Sequence, residues 1–147
     1  MSTIRALTPQ DRTAWEPLWK AYQVFYEVDI PVETTDITWG RFHDVSEPMH
    51  ALGAFDDDGR LVGIVHVIFH RSCWLPKWTC YLQDLYVENS QRGKGTGAAL
   101  IEAVAGLARE EGAGRLYWLT HESNAKARRL YDSIAQESGF IQYRKAL

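Results

Sequence analysis

Apolar positions along the chain change period several times, and each change marks an element. Thr3 to Leu7 alternates weakly and predicts a first strand. Thr8-Pro9-Gln10-Asp11 then carries helix-start chemistry. Thr8 can cap, Pro9 suits the first helical position, and Asp11 completes a capping-box-like pattern. Trp15, Leu18, Trp19, Tyr22 and Phe25 recur at three- and four-residue steps, which predicts a helix ending near Val28, ahead of Pro31. Ile37 and Phe42 predict a second short helix from Thr35 to Asp44.

The middle of the chain is strand-like. Met49 to Phe55 and the β-branched run Leu61 to Phe69 flank Asp56-Asp57-Asp58-Gly59, a turn in which Gly59 can take positive φ, so the pair reads as a hairpin. After a loop from Arg71 to Lys77, Trp78 to Val87 reads as a third strand, giving an antiparallel meander. The period then returns to helical. Leu100, Ile101, Val104, Leu107 and Ala108 share one face of a helix from Gly97 to Glu111, which Gly112 or Gly114 ends. Arg115 to Thr120 is a short apolar strand, and Asn124 to Ala135 a second helix with Ala127, Leu130, Tyr131 and Ile134 in step. Phe140 to Lys145 alternates and is expected as a last strand. Strand, turn, helix and strand in this order imply a parallel pair joined by a crossover. The expected fold is α/β (α+β): a mixed, mostly antiparallel sheet flanked by helices, in a single domain over residues 1–147.

Composition narrows the function classes. A net charge of -3 argues against a nucleic-acid partner held by a basic face. No apolar stretch approaches the ~20 residues that span a bilayer, so no membrane partner is expected, and Met1 to Arg5 leads into no signal-peptide-like run. The two cysteines, Cys73 and Cys80, lack metal-ligand spacing and predict free thiols in a reducing cytoplasm, with no metal. His43, His50, His66 and His70 also lack ligand spacing and read as structural or exposed.

The segment Arg92-Gly93-Lys94-Gly95-Thr96-Gly97 lies between a strand and an amphipathic helix. Glycines let the backbone approach a ligand closely, and successive amides at a helix mouth make a nest for an anion. With Arg92 and Lys94 adding charge, the chemistry suits a pyrophosphate. A Walker-type loop fails because Lys94 is followed by Gly95 rather than Ser or Thr. A dinucleotide fingerprint fits poorly, since the glycines fall at 93, 95 and 97 and the strand before them belongs to a meander.

With the strand, the loop and both following helices in view, the sequence resembles the GNAT superfamily of acetyl-CoA-dependent N-acetyltransferases. Arg92, Gly95 and Gly97 match the superfamily loop, with Gly93 in its usual place, and Asn124, Ala127, Leu130 and Tyr131 match a second motif downstream. Element order from Ile4 to Lys145 fits as well. Tyr81 to Val87 looks like the corresponding strand of diamine acetyltransferases, and Tyr117 to Asn124 and Gly139 to Lys145 look like a histone and polyamine acetyltransferase subgroup.

The resemblance implies acetyl-CoA as cosubstrate and a set of roles. Backbone groups of Leu85, Tyr86 and Val87 would pair with the pantetheine arm, and one amide there would polarise the thioester carbonyl. Arg92, Gly93, Lys94, Gly95, Thr96 and Gly97 would hold the pyrophosphate. Asn124, with Ala127, would contact the pantetheine chain, a role compatible with capping the helix. Tyr131 would protonate the leaving thiolate; otherwise it is a core tyrosine beside Leu130.

A base must deprotonate the amine. Diamine-acetylating relatives carry Glu where Gln83 stands, and Gln takes no proton. Asp84 is the favoured substitute, as base or substrate ligand, against a purely structural carboxylate; Glu88, His121 and Glu122 are others. Strand alternation would put Gln83 and Asp84 on opposite faces. Tyr26, Glu27 and Asp29, after the first helix, are expected with Gln83 at the acceptor, since acids beside rings suit a cationic amine; an ordinary solvated helix end is the plain alternative.

The function implied is acetyl transfer to a primary amine, with a small cationic acceptor such as a polyamine or amino acid derivative ranked first. A protein lysine or N-terminus, and a non-catalytic acyl-CoA sensor, stand as alternatives. The short segment after Ala135 offers one strand where relatives close the sheet with two, and a bare sheet edge invites pairing, so a homodimer with a shared C-terminal strand is expected.

Overall fold

A computed structural model describes residues 2–147. Strands β1 (Thr3–Ala6), β2 (Met49–Phe55), β3 (Leu61–His70), β4 (Trp78–Val87) and β5 (Ala113–Trp118) form one sheet in sequential order. The first three pairings are antiparallel and β4–β5 is parallel. The expected mixed sheet, with its crossover, is therefore present.

Helices cover both faces. On one side α1 (Arg12–Phe25) and α2 (Val32–Phe42) bury Trp15, Leu18, Trp19 and Trp39 against Ala51, Phe55, Leu61 and Ile64. On the other, α3 (Thr96–Glu110) buries Leu100, Ile101, Val104 and Ala108 against Val62, Val65, Val67 and Leu82. β3 is central and apolar on both faces, which is why its sequence is a near-continuous hydrophobic run. The last helix, α4 (Ala125–Ile134), adds Tyr131 to the edge of the α3-side core.

Three boundaries differ from expectation. Helix α1 stops at Phe25, before Val28, because the chain turns in a Schellman arrangement: the Val28 amide donates to Gln23 O (2.9 Å) and the Glu27 amide to Val24 O (3.1 Å). Glu27 occupies the left-handed position of that turn (φ 55°), where glycine is usual. Helix α2 begins at Val32 rather than Thr35, since Pro31 caps it and the Thr35 amide already bonds back to Pro31 O at 3.0 Å.

The third difference is a correction. Phe140 to Lys145 is not a strand; residues 136–147 carry no helix or strand at all. Alternation alone does not make a strand without a ladder partner. Phe140, Ile141 and Tyr143 are exposed; Phe140 meets Trp74 edge-on with ring centroids 6.4 Å apart. Among the described residues no further strand pairs with β5, which ends the sheet.

Candidate active site

The parallel pairing of β4 and β5 runs from Trp78↔Ala113 to Leu82↔Trp118 and stops there. Beyond Leu82, β4 continues to Val87 paired with β3 alone. One backbone edge of the segment from Gln83 to Val87 is thus left without a ladder partner, because β5 ends at Trp118. Leu85, Tyr86 and Val87 lie on this edge.

A β-bulge lies at the start of this segment. His66 pairs with Asp84 while the next residue of β3, Val67, pairs with Leu82, so Gln83 is the extra residue. The bulge resets the alternation. Leu82, Leu85 and Val87 face the α3-side core, whereas Asp84 and Tyr86 face α1. Gln83 itself is exposed.

Asp84 is the centre of a polar cluster. Its Oδ2 lies 2.9 Å from His66 Nδ1, and its side chain is only 12% exposed. For Tyr22, on α1, burial and then the Asp84 charge hold the hydroxyl well above the ordinary tyrosine range. Burial followed by the same charge raises Tyr26. Tyr81 is raised by burial, with Tyr117 and Asp84 contributing. All three phenols therefore stay neutral around a carboxylate. Tyr22 and Tyr26 stack obliquely (4.8 Å), and Tyr81 stacks on Tyr117 (4.8 Å, 15°). An acid set among aromatic rings in this way suits a cationic amine.

Tyr131, on α4, is half-buried beside Trp118, with ring centroids 5.4 Å apart at 65°. Burial, and then Tyr26, raises its pKa, so its hydroxyl keeps its proton at neutral pH. Asn124 is the N-cap residue of α4 but makes no side-chain cap; its Nδ2 reaches only Thr120 Oγ1, at 3.5 Å. Ala127 lies on the partly buried side of the same helix.

Just past the same end of β4 the glycine-rich turn feeds α3. Gly93 and Gly95 both have φ 81°, and Gly95 is the N-cap of α3. An N-cap glycine has no side chain to satisfy the first helical amides, so they remain at the helix mouth for another acceptor. No atom lies within 4 Å of where a Cβ would stand at Gly93, Gly95 or Gly97. Lys94 is exposed, and Thr96 is buried against β3. Arg92 is tied inward: its Nε–H donates to Val87 O (3.0 Å), and its guanidinium lies 5.5 Å from the Tyr86 ring centroid. It fastens the turn to the end of β4.

Tyr26, Glu27 and Asp29 are exposed where α1 ends, with Tyr26 next to Tyr22. Asp29 lines a groove with Trp19, Lys20 and Val32. Sequence reasoning passed over Tyr22, Tyr81 and His66 as site residues. His66 carried a usable signal: a polar residue inside an apolar run must find a partner when buried. Among the described residues no cluster of His, Cys, Asp or Glu is arranged to hold a metal ion, and no helix is long and apolar enough to cross a membrane.

Comparisons with known proteins agree with this geometry. A model of the acetyltransferase (GNAT) family matches residues 15–135. The D-amino-acid N-acetyltransferase HPA3 of Saccharomyces cerevisiae is 35% identical over 143 residues, covering 97% of this chain and 89% of that protein. The L-ornithine N5-acetyltransferase NATA1 of Arabidopsis thaliana is 25% identical over 88% of this chain and 52% of its own length. Among solved structures, the ribosomal-protein-alanine N-acetyltransferase of Brucella melitensis biovar Abortus 2308 superposes with a TM-score of 0.79 at 26% identity, covering 99% of each chain. An unpaired β4 edge beyond the parallel pairing, an uncapped glycine-rich helix mouth and a family match over most of the length converge: this chain belongs to the GNAT acetyltransferase family and is an acetyl-CoA-dependent N-acetyltransferase.

Proposed function

We propose that the acceptor is the primary amine of a small cationic molecule, an amino acid derivative or a polyamine, and that Asp84 takes its proton. The observation that carries this reading is the Asp84 carboxylate, nearly buried and ringed by Tyr22, Tyr26 and Tyr81. An ammonium group reaching that carboxylate is held by charge and by ring faces, then loses a proton to Asp84 directly or through one water. The free amine attacks the acetyl carbonyl carbon, the carbon–sulfur bond breaks as Tyr131 gives its proton to the departing thiolate, the second proton that the nitrogen sheds in becoming an amide restores the Tyr131 hydroxyl through water, and Asp84 returns its proton to solvent. Gln83, Tyr26, Glu27 and Asp29 would form the rim met by the rest of the acceptor.

Acetyl-CoA supplies the activated acetyl thioester. Its diphosphate fits the mouth formed by Arg92, Gly93, Lys94, Gly95, Thr96 and Gly97. The unpaired edge at Leu85, Tyr86 and Val87 fits the pantetheine amides, with Asn124 and Ala127 opposite. The names of the relatives, acting on D-amino acids and L-ornithine, support an amino-acid-like acceptor.

The decisive experiment is thiol release from acetyl-CoA with D- and L-amino acids, ornithine, polyamines and a peptide bearing a free N-terminus, followed by mass spectrometry of the product. Turnover confined to the peptide would overturn the small-amine reading. The free thiols of exposed Cys73 and buried Cys80 support a cytoplasmic setting. The unpaired tail beyond Ile134 and the terminal position of β5 support a homodimer in which each tail pairs with the other copy. A monomeric mass by light scattering at micromolar concentration would remove it.

A further inference from the structure

Behind Asp84 lies a second buried contact that the transfer reaction does not itself require. Trp15 Nε1 is 2.9 Å from His66 Nε2, and both residues are buried, at 0% and 2% exposure. An indole nitrogen can only donate, so His66 Nε2 must accept. The imidazole proton is thereby confined to Nδ1, the atom 2.9 Å from Asp84 Oδ2. Trp19 and Phe42 pack around the same ring at centroid distances of 5.0 and 4.7 Å.

We infer that Trp15 and His66 are positioning residues: Trp15 sets the His66 tautomer, and His66 holds the carboxylate of Asp84 at one oxygen so that the other can receive the acceptor's proton. This rests on the reading of Asp84 as the base. The logic is that of any carboxylate that must be both ionised and fixed in a poorly solvated site. One donor bond aims it without supplying a proton that competes with the substrate's. The ionisable groups facing Asp84 are Tyr22 and Tyr26 from α1, His66 from β3 and Tyr81 on β4 itself. His66 alone reaches it through a nitrogen whose proton is dictated from behind.

Two substitutions separate the halves of the ring. In His66→Asn the amide nitrogen takes the place of Nδ1 and keeps the donor to Asp84. In His66→Gln the amide group takes the place of Nε2, keeping a partner for Trp15 and losing the donor. General acid–base catalysis contributes roughly 10²–10⁴-fold, so His66→Gln should lower kcat about tenfold to hundredfold with the KM for acetyl-CoA unchanged. The acid limb of its pH–kcat profile should move to higher pH, while His66→Asn restores both readouts towards wild type. Independently of any variant, ¹⁵N NMR of wild-type protein should find His66 protonated at Nδ1 and bare at Nε2. The opposite tautomer would overturn the inference. Asp84→Asn separates the two ideas. If it turns over like wild type, the base assignment fails and the relay with it. If it is inactive while His66→Gln and His66→Asn behave alike, only the relay fails.

Discussion

Asp84 stands directly opposite His66 in the β3–β4 register, and a single extra residue, Gln83, separates that pair from the next one, Val67 and Leu82. The bulge does two things. It lets Leu82 and Leu85, three residues apart, share the α3-side core while Asp84 faces α1. It also follows directly on Leu82, where the β4–β5 pairing ends. A bulge adds local twist and bend and interrupts the ladder.

Deleting Gln83 should therefore spare the fold and damage the cleft. Without it, the His66–Asp84 and Val67–Leu82 pairs become consecutive, and both faces of β4 keep their residues. Circular dichroism melting should show a near-native transition. The straightened strand should raise the KM for acetyl-CoA about tenfold, roughly 1.4 kcal/mol of lost binding. An unchanged KM would mean that coenzyme binding does not depend on the bulge.

Tyr131→Phe should lower kcat about a hundredfold, in the range of one lost proton donor, with acetyl-CoA still binding. Burial raises the Tyr131 pKa, so loss of its proton should put a basic limb on the kcat profile above the ordinary value of about 10. A kinetic pH series on the wild type and the variant checks both. A full-rate phenylalanine variant would leave the hydroxyl without a role.

Gly97→Ala separates helix stability from coenzyme binding. Gly97 lies in the first turn of α3 with ordinary helical backbone and open space at its Cβ position. Alanine there should stabilise the protein by about 0.5–1 kcal/mol through backbone entropy. The same methyl group would stand where the diphosphate approaches, so calorimetry should show weaker coenzyme binding beside a higher melting temperature.

Glu27→Gly relieves a left-handed residue. At φ 55°, Glu27 carries a strain of about 1–2 kcal/mol that glycine would not. Thermal unfolding should show a gain of about 1 kcal/mol. If the Glu27 carboxylate meets the acceptor, the amine KM should rise at the same time; a gain in stability with no change in KM would assign it to the turn alone.

Asp11 links stability to acid. Its hydrogen bond from Arg5, helped by the Thr8 amide, holds its carboxyl down at about 2. A depressed carboxylate contributes above its unfolded pKa and loses that contribution as pH falls through the folded one. The pair should contribute about 1–2 kcal/mol above pH 4, fading by about pH 2, the exposed Arg5 keeping the figure low. Asp11→Asn should remove it and flatten the acid side of the stability curve, read by urea unfolding.

Much of this protein was legible in the chain alone. The periods around Trp15 and Leu100 are local, set by 3.6-residue geometry, and so they located α1 and α3. The glycines at 93, 95 and 97 marked a positive-φ turn at a helix mouth by chemistry that needs no neighbours. The tail shows the limit: Phe140 to Lys145 alternates like a strand, yet pairing is decided by an edge elsewhere in space. The site shows it again. Nothing local in the apolar run of β3 says that His66 will meet Trp15 on one side and Asp84 on the other. Periodicity reports which face a residue occupies, whereas which residues share that face is settled only when the strands take register and the helices close over them.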